Sequence, residues 1–278
     1  MVSEEPLYGA RDRVVSSGLR NVLRRENRRW WSPRSLLWLL AVWTVLANCL
    51  TIVLSISIPS LTANGKAADP ATIQNVMAGV FFIAGGLAIV LGSIIRGHDS
   101  ILKEREFGTA SWIISKPVSR SSFVVAKVLA NCIGMLLTVV LAQGIITYLL
   151  IDLTTGRPPD PIRYLSGLAI MGLYCTFFMV FAVSLSALVM SRGIALGIPM
   201  LAAIGGMLLA LLCRYGGFMP QLLIQLNILS PANLNIVAWN TVGGMFPPGP
   251  DQITIVATLA WIAALIVTAV TKFERTEL

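Results

Sequence analysis

The sequence predicts an all-α membrane protein with six transmembrane helices, and three observations carry that prediction. Hydrophobic residues make up 56% of the chain and charged residues only 12%, against about 25% charged in an ordinary soluble domain. The apolar residues fall in runs long enough for a helix of about 20 residues to cross a bilayer. The short alternating segments of about ten residues that a membrane β-barrel needs are absent. Residues 1–35 read as a polar cytoplasmic segment and residues 36–278 as a single transmembrane domain.

Eight arginines lie between Arg11 and Arg34. The first apolar run begins too late and is too long to be a cleavable signal peptide. Val15, Leu19, Val22, Leu23 and Trp30 recur at helical spacing, with Arg20, Arg24 and Arg28 opposite them. That pattern predicts an amphipathic helix lying in the headgroup plane, with Trp30 and Trp31 at the interface. Glu26 falls on the apolar face and interrupts it.

The spans are expected over residues 36–58, 73–95, 123–151, 164–190, 194–213 and 253–271. Pro59 closes the first, and Asn64-Gly65 and Asp69-Pro70 mark the turn after it. Gly79, Gly85, Gly86 and Gly92 line the second span, and such small residues let helices approach closely. Lys127, in the first turns of the third span, is placed to snorkel to the headgroups. Gly156 and three prolines make the next loop irregular. Gly193 and Gly197 open the fifth span as a weak GxxxG. Residues 214–252 are only half apolar and rich in Asn and Gln, and they predict short amphipathic or re-entrant helices before the last span.

Basic residues set the orientation. With the N-terminus inside, 17 of the 21 lie in cytoplasmic segments, and only Lys66, Arg157, Arg163 and Arg214 lie outside. Both termini and the loop 96–122 are then cytoplasmic. The net charge of +8 reads as attraction to anionic membrane lipids and not to nucleic acid.

Several chemistries lack their residues. The spans hold almost no ionisable group away from their ends, whereas ion-coupled carriers place such groups near the midplane. Asn48, Asn131 and Gln143 suit interhelical hydrogen bonds instead. There is no HExxH and no Walker A sequence, so no catalytic, metal or cofactor residue is assigned. Cys49, Cys132, Cys175 and Cys213 fall in different apolar runs and read as packing residues.

The polar stretch from Arg96 to Lys127 carries six basic residues, three acidic ones and the only histidine, His98. Ile101 to Phe107 predicts a short cytoplasmic helix with Asp99 near its N-terminus. Gly108-Thr109 interrupts it, and Trp112, Ile113 and Ile114 would lie against the membrane. Glu104, Arg105 and Glu106 would then face the cytosol as a mixed-charge surface. The run Glu104-Arg105-Glu106-Phe107-Gly108-Thr109, followed by Ser115-Lys116-Pro117-Val118-Ser119-Arg120 and Lys127, resembles the permease subunits of type-2 ABC transporters. Their pattern is E-x-E-x-G-T, then L-s-x-P-v-s-R, then x-x-G-K. Ile114 and Ala126 stand here in the usual Leu and Gly places.

The resemblance implies that this loop is a coupling helix seated in a groove of a separate ABC ATPase subunit, which binds the ATP. Its coupling positions would be Glu104, Arg105, Glu106, Gly108, Thr109, Pro117, Arg120 and Lys127, none of them catalytic. It further implies a second permease subunit, six spans per chain, export, and a place in the cell membrane. Read without the resemblance, the residues leave open an ion-coupled transporter or channel, or a non-transporting membrane scaffold.

Overall fold

Each long apolar run of the sequence is a helix in the computed structural model, which describes residues 20–28, 30–63, 69–106, 120–189, 191–215, 220–243 and 251–275. In chain order these are α1 (20–28), α2 (Pro33–Ala63), α3 (Pro70–Val80), α4 (Gly86–Glu106), α5 (Arg120–Met135), α6 (Ala142–Thr155), α7 (Pro161–Leu188), α8 (Arg192–Tyr215), α9 (Gln221–Ile228), α10 (Leu234–Val242) and α11 (Asp251–Arg275). The described residues contain no strand. Six helical spans are long and apolar enough to cross a membrane. A chain without water around it must bond its backbone internally, and helices do so within one segment.

Two spans are built from paired helices. The π-helical segment Phe81–Gly85 joins α3 to α4, and Leu136–Leu141 joins α5 to α6. Each inserts a wider turn at mid-span, a device that re-aims the following helix. Helix α4 does not stop at Ile95 as the sequence suggested. It continues without a break to Glu106, so Asp99 lies inside a helix and caps none. The polar residues Arg96 to Glu106 are therefore helix, not loop. Pro59 likewise fails to end α2, which runs on to Ala63. A proline removes one backbone bond, and membrane helices tolerate that loss; α8 carries Pro199 in the same way.

Helix α7 is the hub. It packs along α4, α10 and α11 and also touches α5 and α8. From Met171 through Tyr174 and Phe178 to Val183 its buried residues go all the way round, while Ile162, Leu165 and Ala169 leave one face of the first turns exposed. Edge-to-face rings carry the packing outward: Phe82 meets Tyr164 at 5.8 Å, and Tyr164 meets Tyr148 at 5.2 Å. Asp160 starts α7 by accepting from the backbone N–H groups of Ile162 and Arg163 at 2.9 and 3.0 Å, with Pro161 in the first turn. Gly156, at φ 66°, closes α6 in the left-handed region where glycine costs least.

The glycines expected to let helices approach do so, and tryptophans fill the space at several of them. A Cβ on Gly79 would come within 2.5 Å of the Trp239 ring. Gly92 leaves its space to Trp43, and Gly134 to Trp30. A Cβ on Gly85 would meet the Ala47 carbonyl at 2.6 Å. Gly193 and Gly197, by contrast, pack against no neighbouring helix among the described residues. Cys132 and Cys175 are buried thiols, and all four cysteines are unbridged.

The half-apolar stretch resolves as expected into short helices. Helices α9 and α10 meet at 84° across a break and the 3-10 turn Pro231–Asn233. Helix α10 is buried along its length, from Leu234 to Trp239, and Trp239 donates to the Asn75 carbonyl at 3.0 Å. The Thr254 hydroxyl holds α9 to α11 through the Ile228 carbonyl at 2.8 Å.

Candidate coupling site

The segment 107–119 lies outside the described residues, and with it Gly108, Thr109 and Pro117. What the structure describes is how the chain enters and leaves it. Glu104, Arg105 and Glu106 form the last turn of α4, and Arg120 opens α5. The side chains of these four residues lie outside the described set. The His98 ring is nearly buried, with Nδ1 2.7 Å from the Ile95 carbonyl, and its Nε2 is 3.3 Å from Asp99.

Lys127 differs from its expectation. It does not snorkel: its side chain is 0% exposed, and Nζ sits 3.2 Å from Glu26 Oε1, itself 8% exposed. The ammonium also lies 5.2 Å from the centre of the Phe123 ring. A lysine this deep needs a carboxylate, because an unpaired buried charge is very costly. Glu26 therefore belongs to the packed face of α1. Val22, Leu23, Glu26 and Trp30 turn inward, while Arg20, Arg24, Arg25 and Arg28 are exposed. Val15 and Leu19, expected on the same face, lie outside the described residues.

Trp31 is exposed, whereas Trp30 is buried in the protein. Its ring fills the space beside Gly134, its indole N–H donates to Asn131 Oδ1 at 3.3 Å, and the Arg96 guanidinium stacks over it at 4.7 Å. Asn131 in turn donates to the Lys127 carbonyl at 2.9 Å. Helix α1, through Glu26, and Trp30 just past its end thus hold α5 at Lys127, Asn131 and Gly134, and α4 at Arg96. These are the two helices that flank 107–119. Among the proposed coupling positions, Lys127 is the one whose side chain is described, and it faces α1.

Neither Glu26 nor Trp30 was assigned a partner from the sequence. The available signal was two misfits, an acid on an apolar face and a lysine inside a span, which cancel when paired.

Deeper in the membrane, Asn48 donates to Gln143 Oε1 at 2.9 Å and accepts from the Thr147 hydroxyl. Gln143 donates to the Leu40 carbonyl at 3.5 Å. This is the interhelical bonding expected of Asn48 and Gln143, joining α2 to α6. Among the described residues no group of three or more His, Cys, Asp or Glu side chains comes together.

Six apolar helical spans and a buried polar network between them define a multi-pass helical membrane protein. The model of the ABC-2 family transporter proteins matches residues 23–278, and the chain belongs to that family. It is 26% identical over 264 residues to a protein of Stutzerimonas stutzeri described as "Probable ABC transporter permease protein NosY", a match covering 86% of this chain and 92% of that one. The chain is a transmembrane subunit of an ABC transporter.

Proposed function

We propose that this permease couples ATP hydrolysis on a separate ABC ATPase subunit to export, working beside a second permease subunit in the cell membrane. The segment 107–119 docks on the ATPase from the cytoplasmic side, where both termini also lie. Glu104, Arg105, Glu106, Gly108, Thr109, Pro117 and Arg120 form or frame the docking surface, and Lys127 anchors its return helix. ATP is bound by the partner, and this chain contributes no catalytic group.

One observation supports this reading above the others. Helix α4 is unbroken from Gly86 to Glu106, a rod of about 30 Å at 1.5 Å per residue, and it is packed on α7, with Gly97 against Met179 and Ala182. A push at Glu106 is therefore delivered to the hub of the bundle, as a rigid-body transition requires. The test is Glu104→Ala combined with Glu106→Ala in the assembled transporter. ATP hydrolysis is expected to lose its dependence on substrate while the permease remains folded. Coupled hydrolysis at the wild-type level would refute the proposal.

A further inference from the structure

Helix α1 has a second face, opposite the one that packs on the bundle. Arg20, Arg24 and Arg28 recur every fourth residue, which sets them in one stripe about 12 Å long. Arg25 stands beside the stripe, and all four are exposed. Arg34, in the first turn of α2, is exposed as well. Among the described residues, none of these five side chains has an ion pair, a hydrogen bond or a ring contact. The local acid is already committed. Glu26 is the single Asp or Glu between Arg20 and Arg34, and it is buried against Lys127 at 3.2 Å.

Like charges four residues apart on a helix repel, and an anionic surface laid along the stripe removes that cost. The neighbouring side chains say which surface. Trp31 is 45% exposed, Leu37 69% and Trp38 73%. Arg34 stands two residues before the span Leu36–Ile58. Exposed tryptophans at the start of a span belong to the layer between headgroups and hydrocarbon. Arginines continuous with them meet lipid phosphates there, and an arginine row needs no pocket to bind a field of such charges.

We propose that the stripe Arg20, Arg24 and Arg28, with Arg25 and Arg34, docks on the anionic headgroups of the leaflet that the first span enters. The sequence pattern alone predicts the reverse attachment, with the apolar face of α1 in the lipid. Glu26 on that face and Trp30 just past the helix are committed to α5, so the attachment is by the charged face and is electrostatic. The inference concerns lipid binding alone and stands whether or not 107–119 docks an ATPase.

The experiment uses the full chain in phosphatidylcholine vesicles doped with bromine-labelled phosphatidylglycerol or bromine-labelled phosphatidylcholine. The Trp31 signal is the fluorescence difference between wild type and Trp31→Phe. Labelled phosphatidylglycerol is expected to quench it at about fivefold lower lipid fraction, the equivalent of about 1 kcal/mol for a basic residue at an anionic surface. Raising the salt from 0.1 M to 1 M shortens the screening length from about 10 Å to about 3 Å and should erase most of that preference. Replacing Arg20, Arg24, Arg25 and Arg28 together by Gln should abolish it, and replacing the same four by Lys should keep most of it. These positions are exposed, so the thermal midpoint of both variants should match the wild type. Native mass spectrometry from a mixture of the two lipids supplies a readout that needs no tryptophan variant: an excess of retained phosphatidylglycerol in the wild type, lost in the Gln variant. Equal quenching by the two lipids, or a preference that survives the Gln substitutions or 1 M salt, would overturn the proposal. So would displacement of the labelled lipid by poly-glutamate at a lower concentration of charge than by unlabelled phosphatidylglycerol, which would assign the stripe to an acidic protein surface.

Discussion

Replacing Lys127 by Met tests whether α1 is held to the bundle by charge or only by shape. The ammonium is fully buried and lies 3.2 Å from Glu26, whose carboxylate is itself nearly inaccessible. Removing the lysine takes away the ammonium that sits 3.2 Å from a nearly buried carboxylate. Breaking one side of such a pair costs about 3–5 kcal/mol, which is at least about a hundredfold in the folding equilibrium at 1.4 kcal/mol per decade. Glu26→Leu should cost a similar amount, because it strands Lys127. The double variant Glu26→Leu with Lys127→Met removes both charges and fills the site with hydrocarbon, so its cost should fall well below either single value. The assay is reversible unfolding in mixed micelles, run as a double-mutant cycle and paired with protease cleavage between α1 and α2. The singles should release α1 early, and the double variant should retain it. Additive costs, or a harmless Lys127→Met, would refute the buried pair as the fastening.

Gly79→Val should destabilise the bundle by about 1–3 kcal/mol, the usual cost of overpacking, because its Cβ would strike Trp239 at 2.5 Å. Gly197→Val, which meets no neighbour, should leave the thermal midpoint of the isolated chain unchanged. Asn48→Leu should cost about 0.6 and at most about 1.7 kcal/mol, the range of membrane hydrogen bonds, and Asn48→Leu with Gln143→Leu should cost less than the two singles added. Asp160→Ala removes the acceptor for Ile162 and Arg163 and should lower stability by about 1 kcal/mol, measured by the same unfolding experiment.

The six spans were legible because a bilayer imposes a length and a composition that no local preference can hide. The short helices before α11 were legible for the complementary reason: Asn227, Asn233, Asn235 and Asn240 are too polar for a lipid-facing span. Asn227, Asn233 and Asn235 are buried inside the protein, each keeping a side-chain amide atom without a hydrogen-bond partner among the described residues, and α10 packs on α7. What could not be read was anything that depends on a distant partner. Glu26 and Lys127 are 101 residues apart, and each alone looks like an exception to its own helix. Trp30 was read from tryptophan's preference for the interface, which gave no sign that its ring packs at Gly134. The end of the helix was misjudged because charge was taken as a sign of loop, whereas Arg96, His98 and Asp99 sit on a helix that continues to Glu106.

Those misreadings all fall on one region, and physics gives them a common cause. The helices α4 and α5 flank 107–119, and α7 supports α4 at least as far as Gly97, which meets Met179 and Ala182. Helix α1 adds to that support. It reaches α5 through the Glu26–Lys127 pair and the Trp30–Asn131 bond, and α4 through Trp30 and Arg96. Separating α1 from α5 would expose a lysine and a glutamate that are stable in a dry site only as a pair. The arrangement is therefore stiff against opening yet free to move as one body. That is the mechanical property a helix pair needs if motion applied at 107–119 is to reach the spans undiminished.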